Sequence, residues 1–155
     1  MTRSWVEEVK NTIPEYAEIV ADRLVVAMSN SLLDEKIAHG CALAAAAATA
    51  NGGLAFEISM NGPLFGSDER EIAKKAAVLV TLESALNTGS CDPGRTHKIE
   101  GNYAMYAYAA AVAMQNISSA DYYSHFILTV RYEAGKQIRA IAEIAASVAA
   151  IGKIT

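Results

Sequence analysis

Four polar side chains that could perform acid–base chemistry lie close together in the second half of the chain. They are Ser118, Asp121, Tyr122 and His125, in the segment SSADYYSH. On a helix, their offsets of three, four and seven residues from Ser118 place all four on one face. An ionised Asp121 one turn from His125 would favour the imidazolium form and orient the ring for proton transfer. The spacing therefore predicts a general acid–base site that works near neutral pH.

The same residues also fit a solvent-exposed helix face, on which Asp121 and His125 form an ordinary i,i+4 pair worth roughly 0.2–0.5 kcal/mol. A serine hydrolase is excluded, because side chains on one helix run parallel and the sequence has no G-x-S-x-G turn. The nearby tyrosines fit the core or a subunit interface, or else a pocket wall that offers a hydroxyl to His125. These tyrosines are Tyr103, Tyr106, Tyr122, Tyr123 and Tyr132.

The other histidines are scattered along the chain. His39 lies in an alanine-rich segment and is expected to fill the core or an interface, whereas His97 lies beside Arg95 and Lys98 in a polar loop. That loop is either solvated or an anion-binding lid over an acidic substrate. The histidines lack the spacing of helical metal ligands, so the sequence predicts no metal site and no cofactor. Glu57 matches no motif and is expected at the surface.

Two cysteines, Cys41 and Cys91, lie 50 residues apart and form no C-x-x-C motif. Cys41 falls in the alanine-rich segment and Cys91 in a turn-rich loop. Free thiols are the expected state, and an atypical redox pair is the alternative.

The composition is that of a globular chain without a basic surface. Of its 155 residues, 52% are apolar and 19% are charged, and the net charge is −4 with a pI of about 5.4. This acidic balance excludes the usual footprint of a nucleic-acid-binding protein. The apolar runs at residues 41–50 and 103–114 are shorter than the ~20 residues of a membrane span, so they predict buried helices. With no apolar run at the start, we expect one cytoplasmic domain that binds neither nucleic acid nor membrane.

Hydrophobic spacing predicts an all-α fold of about seven or eight helices, since no segment alternates strictly between apolar and polar residues. Breaks are predicted at NGG (residues 51–53) and at the glycine- and proline-containing segment 87–98. Each half then holds a long alanine-rich helix, a short helix, a glycine and another long helix, which suggests an internal duplication. The predicted helices span residues 13–30, 33–50, 54–61, 66–87, 100–116, 119–134 and 136–153.

The first half resembles the carboxymuconolactone decarboxylase and alkylhydroperoxidase-D-like superfamily. That family's unit begins with an LDEK-type helix start and passes through a small-residue helix and a C-x-x-C-x-x-x-H stretch to a glycine, acids and EI. Here LDEK at residues 33–36 matches the start, and Gly66 with Glu71 and Ile72 matches the end. The motif positions hold Asn51, Leu54 and Ile58 in the first half, and Ser118, Asp121 and His125 in the second.

The resemblance implies one all-helical alkylhydroperoxidase-D-like domain over residues 1–155, with repeated units at about 14–90 and 100–153. It also implies a ring-like homo-oligomer, commonly a trimer or hexamer. It does not extend to thiol-peroxidase activity, because that reaction needs a low-pKa thiolate and a resolving thiol. Neither unit has a cysteine at the motif positions.

The decarboxylase branch of the family works without a cofactor or a cysteine pair and keeps an acid four residues before the histidine. Asp121 and His125 reproduce that spacing, with Asp for the usual Glu. The resemblance therefore implies lyase or isomerase chemistry on a small carboxylic acid, with His125 as proton donor or base and Asp121 orienting it. The alternatives are a non-catalytic oligomeric binding or scaffold protein, and an atypical thiol-based antioxidant protein that uses Cys41 and Cys91.

Overall fold

The structure, a computed structural model, describes residues 5–29, 33–49, 52–61, 67–86, 103–115 and 132–154. Within these ranges all regular structure is helical, with seven α-helices, one 3₁₀ turn and no strand, so the all-α prediction is confirmed. The helices are α1 (Trp5–Thr12), α2 (Glu18–Met28), α3 (Glu35–Ala48), α4 (Gly52–Asn61), α5 (Ser67–Leu86), α6 (Tyr103–Ala113) and α7 (Tyr132–Ile154). The 3₁₀ turn covers Glu15–Ala17, between α1 and α2.

Helix α3 begins and ends where side chains satisfy its terminal backbone groups. Asp34 is the N-cap, and its Oδ1 accepts a hydrogen bond from the backbone N–H of Lys36 at 2.8 Å. At the other end, the Thr49 hydroxyl lies 3.1 Å from the carbonyl oxygen of Ala45 and 2.9 Å from that of Ala46. Helices α3, α4 and α5 follow their predicted spans to within two residues at each end.

The N-terminal region differs from the prediction of one helix over residues 13–30. Pro14 has extended backbone angles (φ −59°, ψ 146°), so the helix does not begin there, and α2 starts only at Glu18 after the 3₁₀ turn. A separate helix, α1, precedes it and was not predicted. Its buried residues are only Trp5 and Val9, and its three apolar positions, Trp5, Val6 and Val9, are too few to show a helical period.

Two further boundaries differ from the predicted ones. Helix α7 continues through Gly135, where the sequence predicted a break, and this glycine is buried within the packed helix. Packing there outweighs the roughly 1 kcal/mol by which glycine disfavours a helix. Helix α6 ends at Ala113 instead of 116, because Gln115 adopts the left-handed conformation with φ 57°. Most of the predicted helix 119–134 lies outside the described residues.

The alanine-rich helices α3 and α6 pack against each other at the centre of the bundle. Residues 38–46 of α3 and 103–111 of α6 are all buried, as predicted for these apolar runs. Helices α5 and α7 each pack against both central helices, while α4 packs against α3 and α2 packs against α7. Small side chains make this arrangement possible, because they allow helix axes to approach closely. No helix in the described part of the chain is long and apolar enough to cross a membrane.

Candidate functional site

The residues predicted to form the acid–base site lie outside the described ranges, so their arrangement stays a prediction. They are Ser118, Asp121, Tyr122 and His125. The loop that contains His97, and the second cysteine, Cys91, also lie outside the described residues.

Two of the three first-half positions that the resemblance aligns with the family motif lie in the described residues. Leu54 and Ile58 lie one turn apart on α4, and both side chains are buried. Asn51, the third position, lies outside the described residues. At these two positions the chain therefore has apolar core residues, which cannot transfer a proton.

His39 and Trp5 form a buried polar pair that connects α3 to α1. The indole Nε1 of Trp5 donates a hydrogen bond to Nδ1 of His39 at 2.7 Å, and the rings meet edge to face with centroids 5.8 Å apart. Because Nδ1 accepts, the imidazole is neutral and carries its proton on Nε2. Burial lowers the pKa of His39 to about 4. The predicted core role of His39 is confirmed, and this neutral ring is a structural acceptor.

A second polar pair connects α6 to α5. The phenol of Tyr106 is fully buried and donates a hydrogen bond to Oε2 of Glu69, a half-buried carboxylate in the first turn of α5. Gly40 on α3 provides the space for the ring, because a methyl group at that position would overlap Tyr106. A phenol hydrogen-bonded to a carboxylate is a proton donor–acceptor pair of the kind used in acid–base chemistry.

Cys41 lies one residue from Gly40 and is fully buried, with Sγ 3.9 Å from the carbonyl oxygen of Met105. Burial raises the pKa of its thiol well above the usual range, and the negative charge of Glu69 raises it further. The thiolate is the reactive form of cysteine. Cys41 is therefore a free thiol, as predicted, and its burial disfavours the reactive thiolate.

A cleft of about 300 Å³ lies where α1 meets the start of α4 and the end of α7. Its walls include apolar side chains from all three helices, among them Val9, Leu54 and Val148. Two carboxylates, Glu8 on α1 and Glu57 on α4, also line it. Glu57 is half-buried and lies at the surface in this cleft. We call this feature the α1–α4–α7 cleft.

Sequence reasoning missed the Tyr106–Glu69 pair and the α1–α4–α7 cleft because both depend on contacts between distant helices. The one available signal was Gly40, a glycine inside an alanine-rich helix, which indicates close approach by another group. Among the described residues, no three His, Cys, Asp or Glu side chains are grouped as a metal ion would require. No protein-family model and no curated protein sequence matches this chain.

Proposed function

We propose that this protein is a cofactor-independent acid–base enzyme of the lyase or isomerase type that acts on a small carboxylic acid. His125 donates or accepts the proton and Asp121 orients the imidazole, while Ser118 and Tyr122 complete the site. The proposal rests on the spacing of these residues and on the resemblance to the decarboxylase branch. The structural observation that supports it most is the correspondence between the two central helices.

That correspondence is seen at His39 and Tyr106. Each motif position of the first unit lies 67 residues before its counterpart in the second unit. His39 likewise lies 67 residues before Tyr106. Both side chains are buried in a central alanine-rich helix, and each is hydrogen-bonded to a side chain from another helix. Since α3 and α6 also pack against each other and share α5 and α7 as neighbours, this agreement supports an internal duplication.

The duplication carries a consequence for the predicted site. Ile58, the first-unit counterpart of position 125, is fully buried on a helix that packs against α3. The repeat therefore predicts an enclosed position for His125 in place of an exposed helix face. Burial would lower the pKa of that histidine and an ionised Asp121 would raise it, which are the opposing influences that tune an acid–base group.

At its described motif positions, the first unit offers no competing site for this chemistry. Its motif positions 54 and 58 are apolar, and His39 is occupied as the acceptor for Trp5. The buried Cys41 thiol likewise offers no support for the antioxidant alternative. Any proton transfer of the proposed kind is therefore assigned to the second unit.

Incorporation of deuterium from solvent into small carboxylic acids tests the proposal. The protein is incubated in D₂O with levulinate, acetoacetate or 4-carboxymuconolactone, and ¹H NMR follows exchange of C–H for C–D and loss of the carboxyl group. We expect exchange or decarboxylation of at least one probe, reduced about 100-fold or more in His125→Gln. Asp121→Asn should reduce it less, and His39→Gln, a matched control at a histidine with a structural role, should leave it unchanged. No reaction of the wild-type protein, or full activity of His125→Gln, would contradict the proposal.

The second candidate is the oligomeric binding or scaffold protein, which the exposed apolar side chains favour. Phe56 and Met60 lie one turn apart on α4, as do Val78 and Leu82 on α5, and all four are 48–64% exposed. Such paired apolar residues are typical of surfaces that other subunits cover. We therefore propose a homo-oligomer, a trimer or a hexamer, for either candidate function.

Light scattering separates these possibilities when it is combined with the exchange assay. We expect a mass three or six times the 16.4 kDa of one chain, and a lower mass for Val78→Glu/Leu82→Glu. The control is Glu71→Gln, an exposed change on the same helix. An oligomer without exchange activity would favour the scaffold, and a 16.4 kDa species at micromolar concentration would contradict the oligomer.

A further inference from the structure

We propose that the α1–α4–α7 cleft binds a small organic cation, an ammonium group carried on an apolar body. This proposal involves none of the residues of the acid–base site proposed above and does not depend on it. The proposal rests on the volume of the cleft, the chemistry of its walls and the sign of the charges around it.

The cleft has the size and walls of a small-molecule site. Its volume of about 300 Å³ is at the lower end of the range typical of ligand pockets. Val9 from α1, Leu54 from α4 and Val148 from α7 contribute apolar surface on three sides. A ligand that fits is therefore small, about the size of one aromatic ring with a short side chain, and has both an apolar and a polar part.

Among the described residues that line the cleft, the charged side chains have one sign. Glu8 and Glu57 contribute carboxylates from different helices, and no Lys or Arg is among the described residues that line it. A carboxylate has about four lone-pair sites, so each can accept a ligand N–H in addition to a protein donor. An ammonium group is the ligand group that matches this arrangement.

The C-terminal ends of two helices also favour a cation in the cleft. Thr12 is the last residue of α1, and Ile151 lies in the last turn of α7, so the carbonyl ends of both helices are at the cleft. These ends carry partial negative charge and favour cations. The first turn of α4, with Gly53, contributes a partial positive charge, which the full charge of one carboxylate exceeds. A carboxylic acid is therefore the wrong ligand for this cleft.

Three probes of nearly equal size and different charge test the assignment. Phenethylamine is positive at pH 7, 2-phenylethanol is neutral and 3-phenylpropanoate is negative. Calorimetric titration and ¹H–¹⁵N NMR should show phenethylammonium binding with shifts at residues of the cleft, and weaker or no binding of the other two. Equal binding of all three probes, or no binding of phenethylammonium at millimolar concentration, would overturn the proposal.

Charge-removing variants locate the site. Glu57→Gln and Glu8→Gln should each weaken phenethylammonium binding about fivefold, the equivalent of roughly 1 kcal/mol for a partly exposed charge pair. Glu133→Gln removes an exposed carboxylate near the opposite end of α7, and should leave the affinity unchanged. Thermal melts of each variant verify the fold. If Glu133→Gln weakened binding as much as the cleft variants, the attraction would be general and the site would be refuted.

Discussion

Trp5 and His39 share a buried hydrogen bond that only a neutral histidine can accept. The bond from indole Nε1 to imidazole Nδ1 is 2.7 Å long, and neither ring reaches solvent to any extent. Protonation would place an N–H on both imidazole nitrogens and a positive charge in the core. The contact between α1 and α3 is therefore stable only while His39 stays deprotonated.

Folding stability should fall as the pH drops from about 6.5 towards 4. In this window an unfolded chain binds a proton at His39, whereas the folded chain does not, because burial holds the pKa of that group near 4. The contribution of neutral His39 to the free energy of unfolding is therefore complete at pH values above the pKa of this residue in the unfolded chain. It is lost, by at most about 3 kcal/mol, as the pH falls through the pKa of His39 in the folded protein. Urea unfolding at several pH values, followed by fluorescence of the single tryptophan, Trp5, measures it.

The matched variant for this experiment is His39→Gln, which keeps an acceptor for the indole but does not titrate. Its stability should depend less on pH in the same window, while carboxylate titrations affect both proteins equally. Identical pH profiles for the two proteins would show that His39 does not contribute.

Two glycine-to-alanine substitutions should have opposite effects. Gly40→Ala places a methyl group against the Tyr106 ring, and overpacking of this kind typically costs about 1–3 kcal/mol. Gly52→Ala places one where no atom lies within 4 Å, and should stabilise α4 by about 0.5–1 kcal/mol. Denaturant midpoints measure both. Equal effects at the two positions would mean that the Tyr106 ring does not lie against α3.

Cys41 should be unreactive in the folded protein. In a Cys91→Ser background, the Ellman reagent should label Cys41 at least about 1000-fold more slowly in buffer than in denaturant, because labelling requires unfolding. The reason is that the thiol is fully buried and its pKa is raised. Rapid stoichiometric labelling under native conditions would disprove this and would reopen the thiol-based function.

Gln115→Gly should increase the melting temperature. Gln115 is exposed and has a positive φ of 57°, a conformation that costs a non-glycine residue about 1 kcal/mol and glycine almost nothing. Some of the gain is offset by the greater flexibility of glycine in the unfolded chain, so a net gain of about 0.5 kcal/mol is expected. Calorimetry measures it, and an unchanged or lower melting temperature would argue against the left-handed turn.

The helices were predictable where local chemistry determines them. Asp34 caps α3, and the polar sequences that follow α3 and α5 disfavour helix locally, without the need for tertiary contacts. Helix α1 was missed because its stability depends on the burial of Trp5 against His39, a contact across 34 residues. The break predicted at Gly135 was wrong because the low helix propensity of glycine is evident from the sequence, whereas the packing that outweighs it is not.

The same distinction applies to the candidate sites. A spacing within one helix, such as that of Asp121 and His125, can be read directly from the sequence, and it stays a prediction. The hydrogen bond between Tyr106 and Glu69 joins two helices, and no sequence pattern around either residue predicts this contact. Contacts of that kind follow from helix packing, which hydrophobic periodicity does not specify.

The burial of α3 and α6 on every side determines where this protein can change during evolution. At the buried alanine positions of these helices, a larger side chain would have to push a neighbouring helix outwards, so drift at those positions is restricted to exchanges among small residues. The exposed faces of the outer helices are free of that limit. New specificities in descendants of this chain should therefore arise on those exposed faces, while a scan of all substitutions would show two continuous intolerant bands at residues 38–46 and 103–111.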